Sequence, residues 1–155
     1  MKKSFHLITM LALVAVLGLA SCNKEEDRVA TGYTISGLEL TKIPNNTTWD
    51  VGGSPDIFFK IMNSDKTTLY YTSSTKDDVN SLPVSWSNIN CPLNVGETYI
   101  ISFFDEDLLE NEIMVNCQLK LSAYDAPYAG YTSTYEWEAS NGTISFNLNL
   151  NWKFR

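Results

Sequence analysis

TISFNLNLNWKF, residues 143–154, alternates without a break. Ile144, Phe146, Leu148, Leu150, Trp152 and Phe154 take every second place, with Ser145, Asn147, Asn149, Asn151 and Lys153 between them. A period of two is the mark of an extended strand with one face on a core and the other in water. Residues 113–121 repeat it: Ile113, Val115, Cys117, Leu119 and Leu121 form the apolar set, and Asn116, Gln118 and Lys120 lie between. One buried face and one wet face imply antiparallel pairing.

Working outward, six more segments rich in Ile, Phe, Tyr, Thr and Val are separated by Asn, Asp, Gly, Ser and Pro. The expected strands are 33–43, 56–62, 67–73, 84–91, 98–104, 113–121, 132–138 and 143–154. No stretch of this region has sustained helical periodicity. In the first strand Tyr33 and Ile35 are in one phase and Leu38 and Leu40 in the other, so a bulge is expected at Gly37 between them. Asn141-Gly142 predicts a tight hairpin between the last two strands. Eight antiparallel strands buried on one side give an all-β sandwich.

The first residues are of a different kind. Met1-Lys2-Lys3, the apolar run from Leu7 to Ala20 and the small residues before Cys22 form a tripartite export signal. It resembles a bacterial lipobox, which implies cleavage after residue 21 and fatty acylation of Cys22. The expected organisation is a lipoprotein signal peptide over 1–21, a lipidated cysteine and acidic linker over 22–32, and one sandwich domain over 33–155. The location implied is the outer membrane, on its periplasmic side or at the cell surface. Asn23-Lys24-Glu25-Glu26-Asp27 reads either as a plain solvated tether or as an acidic export tag.

Loss of the leader removes His6, the only histidine, so serine-histidine catalysis and histidine-liganded metal sites have no material. Loss of Lys2 and Lys3 takes the formal charge from -7 to -9. A surface this acidic excludes nucleic acid as a partner and is not drawn to anionic lipid by simple attraction.

Two loops concentrate that acidity. WDVGGSPDIFFK, residues 49–60, places Asp50 and Asp56 at the two ends of a Gly-Gly-Ser-Pro turn. FFDEDLLENEIMV, residues 103–115, has Asp105 and Asp107 on alternate positions and Glu112 at the return. Like charges gathered so closely repel unless a cation lies between them, and hard oxygen donors in this number suit calcium. Read singly, each loop is also an ordinary polar turn. Together with SLPVSWSNINC, which supplies Pro83 and Trp86, the two loops resemble a C2 domain.

The resemblance spans residues 33–154. It implies calcium held by the side chains of Asp50, Asp56, Asp105, Asp107 and Glu112 and by the backbone carbonyls of Trp49 and Glu106. It also implies the circularly permuted strand order of the phospholipase type, with the Lys76-Asp77-Asp78 loop at the same end of the sandwich. This chain departs from the family in placing Pro55 before Asp56 and in having Glu112 where aspartate is usual.

Cys91 and Cys117 are either a disulfide or two small buried hydrophobes. Three functions compete. One is a lipid-anchored calcium-binding module that engages phospholipid head groups or an envelope protein through its acidic loops. The second is a structural, glycan-binding or adhesive accessory subunit of a cell-surface assembly with no metal site. The third, an enzyme, has no recognisable catalytic spacing, and the expectation is that the chain is not one.

Overall fold

The computed structural model describes residues 29–44, 53–107, 111–126, 131–139 and 142–155, the 131–139 strand by its backbone. Eight strands run β1 (Ala30–Lys42), β2 (Ile57–Asn63), β3 (Leu69–Thr72), β4 (Val84–Asn94), β5 (Tyr99–Asp105), β6 (Glu112–Leu119), β7 (Tyr131–Ala139) and β8 (Gly142–Phe154). They form two four-stranded sheets, ordered β4-β1-β8-β7 and β3-β2-β5-β6. Every pairing is antiparallel. The architecture is the all-β sandwich expected, and among the described residues β1 is the one strand before β2.

Alternation explains the core. Ile144, Phe146, Leu148 and Leu150 of β8 are buried, while Asn149 and Asn151 take the other face. On β1 both phases reach the core, because register shifts between Ile35 and Gly37 against both neighbours. A Cβ at Gly32 would sit 2.8 Å from the Leu93 carbonyl oxygen, a backbone atom that cannot step aside, so this close approach needs glycine, whereas at Gly37 the atom met at 2.8 Å is the side-chain amide nitrogen of Asn149, which can swing away. Asn88 of β4, opposite this bulge, takes a left-handed φ of 59°. Ala139 pairs with Gly142, so β7 and β8 form the hairpin expected, with Gly142 inside β8 and residues 140 and 141 outside the described residues.

Two expectations need correction. Strand β4 does not stop near Cys91 but continues through Pro92 to Asn94. It is an edge strand, so the N–H that proline lacks is not needed for pairing on that side. Ile113 is 53% exposed rather than buried, and Met114 is turned inward instead. Phe103 pairs with Val115 and Phe104 with Ile113, so Met114 is an extra residue that resets the phase of β6.

The sheets meet through aromatic side chains. Phe59 packs against Phe103 at 5.9 Å, edge-on to Trp86 at 5.1 Å, and near Tyr71 at 5.7 Å. Phe103 reaches Phe146 of the facing sheet at 5.4 Å. Cys91 and Cys117 are both buried free thiols, not a bridge. Burial pushes their ionisation up, to about 11 and about 12.

Candidate functional site

Three segments far apart in sequence meet at one end of the sandwich. Residues 53–56 lead into β2, residues 73–79 follow β3, and residues 105–107 leave β5. Lys76 and Ile57 exchange backbone bonds of 2.8 and 2.9 Å, which fastens the second segment to the start of β2. The indole N–H of Trp86 donates to the Ser74 carbonyl at 2.7 Å, so the start of β4 holds the same segment from the other sheet. The Val79 N–H donates to the Pro55 carbonyl at 2.9 Å.

The acidic side chains do much of the joining. Asp105 is wholly buried at the end of β5, and its Oδ1 accepts the Asp56 N–H at 2.8 Å. The Asp56 carboxylate in turn accepts the Asp78 N–H at 2.7 Å, and its carbonyl accepts the Glu106 N–H at 2.8 Å. The Thr75 hydroxyl donates to Glu106. Burying a carboxylate is costly unless donors or a cation offset it, and the Asp56 N–H is one such donor. Asp78 takes φ 50°, a left-handed position that Asp tolerates.

Of the residues expected in the site, Asp56, Asp105, Asp107 and Glu112 therefore share one pole. Asp105 pairs with Ile57 on one side and with Glu112 on the other. Directly paired residues project to the same face with Cβ atoms about 5 Å apart. Glu112 is exposed and Asp107 half-buried. The Lys76-Asp77-Asp78 loop is at this pole, as expected. Trp49, Asp50, Cys22, the signal segment and the 23–27 tether lie outside the described residues.

An oxygen-only donor set matches a hard divalent cation. An oxygen that accepts one N–H keeps further lone pairs, so the bonds to Asp56 and Asp78 do not use up their carboxylates. Among the described residues, however, no three His, Cys, Asp or Glu side chains stand together closely enough to form a metal cage. Thr75, and the use of Asp56 and Asp105 as clasps between loops, had no signal in the sequence beyond polar loop composition.

Solved structures share this two-sheet fold. One described as that of a C2 domain superposes on 79% of this chain and 97% of its own, with a TM-score of 0.55 and 13% identity. The fold is that of a C2 domain. A C2 domain of plant Extended Synaptotagmin 1 gives a TM-score of 0.58 at 19% identity, covering 83% of this chain and 98% of its own. Human GIVD cytosolic phospholipase A2, in complex with a methyl gamma-linolenyl fluorophosphonate inhibitor and terbium chloride, matches 82% of this chain at a TM-score of 0.54 and 14% identity. The C2-like chain corresponds to 18% of that phospholipase. Identities this low concern the C2-like fold alone. No family model and no curated protein matches the sequence.

Proposed function

We propose that this C2-like chain is a lipid-anchored, calcium-binding module of the outer membrane, not an enzyme, and that its acidic pole engages anionic phospholipid. The observation that carries the reading is the direct contact between the two acidic loops, where the Asp105 carboxylate accepts the Asp56 N–H across 49 residues of sequence. Asp56, Asp105, Asp107 and Glu112, with Asp50, would hold the ion. Bound calcium would supply positive charge at a pole that otherwise repels phosphate. The residues' own part is to gather oxygen donors on three fastened segments.

Calorimetry on the soluble protein tests this. Millimolar calcium is expected to give a binding signal, since extracellular sites of this chemistry need only weak affinity, about 0.1 to 1 mM. Absence of both heat and a thermal shift would sink the metal reading. The second reading, a structural or glycan-binding subunit without a metal, has one observation in its favour: no cage of three acidic side chains is formed among the described residues.

A further inference from the structure

The other end of the sandwich is where the N-terminal segment joins. Ala30 pairs with Phe154, and the Arg155 N–H donates to the Val29 carbonyl, so both ends of the domain lie together. Asn94 pairs with Gly32, and its N–H donates to the Tyr99 hydroxyl, which brings the 94–99 turn to the same end. Tyr99 pairs with Asn63 on one side and Leu119 on the other, so the 63–68 turn and the 120–126 segment belong there too. Asp105 is at the opposite end of β5 from this terminal pole.

Apolar surface collects at the terminal pole. Six large apolar side chains are exposed among the described residues, and five of them, Val29, Leu69, Tyr70, Tyr124 and Phe154, belong to it. The sixth, Ile113, follows Glu112 at the acidic pole. Scattered exposure is ordinary, but its concentration on one surface marks a contact. On β8 the cause is visible: the apolar phase that fills the core through Leu150 runs on to Trp152 and Phe154, past the last core layer, and leaves Phe154 exposed. Tyr124 is 98% exposed on the 3-10 turn Ala123–Asp125. The Ser122 hydroxyl accepts the Tyr124 N–H and the Asp125 carboxylate accepts the Ser122 N–H, so the turn is held while the ring is left to solvent.

Cations gather there as well. Lys66, Lys120, Lys153 and Arg155 are exposed at this pole. Its described carboxylates, Asp65, Glu97 and Asp125, each accept a bond within their own turn, from Thr67, Tyr99 and Ser122. On a chain whose net charge is -9 without its leader, this end therefore lacks the acidic surplus that repels phosphate.

Resting on the anchor reading above but not on calcium, we infer that the terminal pole is a membrane-contact surface, seated in the head-group layer of the bilayer that holds the lipid on Cys22. Seven residues separate Cys22 from Ala30, so covalent geometry keeps this pole within about 29 Å of the acylated residue. A surface held so near needs little affinity of its own, because the anchor has already removed the translational freedom that binding would cost. Tyrosine suits the layer, with an apolar ring and a hydroxyl that stays wet. Lysine stems lie along apolar surface while their ammonium groups reach phosphate. The contact needs no divalent cation.

The test uses the lipidated protein in phosphatidylcholine–phosphatidylglycerol vesicles doped with a nitroxide-labelled lipid, with chelator present throughout so that the outcome is independent of the calcium reading. Tyr124→Trp and Ile113→Trp, both at exposed positions, report the two poles. The nitroxide lipid is expected to remove most of the emission added by Tyr124→Trp and to leave that added by Ile113→Trp. Adding Lys120→Glu with Lys153→Glu should restore part of the lost emission, and quenching unchanged by them would overturn phosphate as the ligand. Quenching at Ile113→Trp equal to that at Tyr124→Trp, or none at either, would overturn the inference. So would a blue-shifted Tyr124→Trp emission that the lipid does not quench, which would place protein, such as a second copy, on this surface. The mass of the N-terminal peptide separates the two levels. If Cys22 carries no acyl chain, the anchor reading falls and takes the inference with it. If Cys22 is acylated and Tyr124→Trp stays unquenched, the inference alone fails.

Discussion

The two poles of the sandwich are closed by different means. At the terminal pole the side-chain bonds of the 94–99 turn are local: the Tyr99 hydroxyl donates to Glu97 at 2.7 Å and accepts the Asn94 N–H at 2.9 Å, and the Asn94 amide donates to Glu97 at 3.1 Å, while the Gly96 N–H of the same turn donates to the Leu121 carbonyl at 2.7 Å. The side chains concerned lie within five residues of the groups they bond and shape a single turn. At the acidic pole Asp105 and Asp56 reach across 49 and 22 residues to backbone groups of other loops. Side chains that bond within one turn shape that turn alone, whereas side chains that bond from loop to loop fix the loops in relative position. Fixed relative position is what a multidentate site requires.

The largest effect expected is from truncating the core under the acidic pole. Phe59→Ala should cost about 3–5 kcal/mol and lower calcium affinity as well, because the Phe59 ring packs against Trp86, whose indole N–H holds the Ser74 carbonyl of the 73–79 segment. Leu119→Ala at the terminal pole should cost about 2–5 kcal/mol yet leave the calcium response intact. Equal calcium effects from both, in titrations of folded protein, would break the distinction between the poles.

Next in size is the ion itself. Calcium at a hundredfold over its Kd should add about 2.7 kcal/mol, or several degrees in Tm. Asp105→Asn with Asp107→Asn keeps an acceptor oxygen for the Asp56 N–H but removes charge. The chelated variant is therefore expected to melt above wild type while losing the calcium gain. If neither melting temperature nor calcium response changes, the two residues serve only as polar loop. Asp105→Ala sharpens this, since it strands the Asp56 N–H and should cost about 1–3 kcal/mol with or without calcium.

Alkaline pH probes the core between the poles. An unfolded chain releases the Cys91 and Cys117 protons near the ordinary thiol value of 9.0, while the folded one holds them to about 11 and about 12. Above that lower value the unfolded state binds fewer protons, so the stability present below it declines as pH rises, by about 1.4 kcal/mol per pH unit per thiol. Denaturant melts at about pH 8 and about pH 10 should record the fall, and Cys91→Ala with Cys117→Ala should flatten it. The smallest effect is expected from Tyr99→Phe, which removes one acceptor from the Asn94 N–H and should cost about 1 kcal/mol with no change in calcium response.

The strands were legible because period two is a local property, and each of the eight expected segments overlaps an observed strand. The bulge at Gly37 was legible for the same reason, as a phase change within β1. Phase on β6 was not, because the extra residue Met114 is defined only by what pairs across from it on β5. Nor was the continuation of β4 through Pro92, which depends on that strand having one neighbour instead of two. In the candidate site, composition indicated which loops were acidic and the family resemblance placed them at one end. The clasps among Asp56, Asp78 and Asp105 depend on long-range closure of the sandwich, and spacing along the chain does not encode them.

Pro92 carries a consequence for how copies of the chain meet one another. The open side of an edge strand is a row of backbone donors and acceptors, onto which a second copy can add as a further strand and begin a ribbon. At Pro92 that row lacks a donor, and at Asn88 the left-handed residue turns the strand out of line. The longer of the edges described in full is thus interrupted twice within eleven residues. Crowded side by side, these molecules are protected from zipping together along β4.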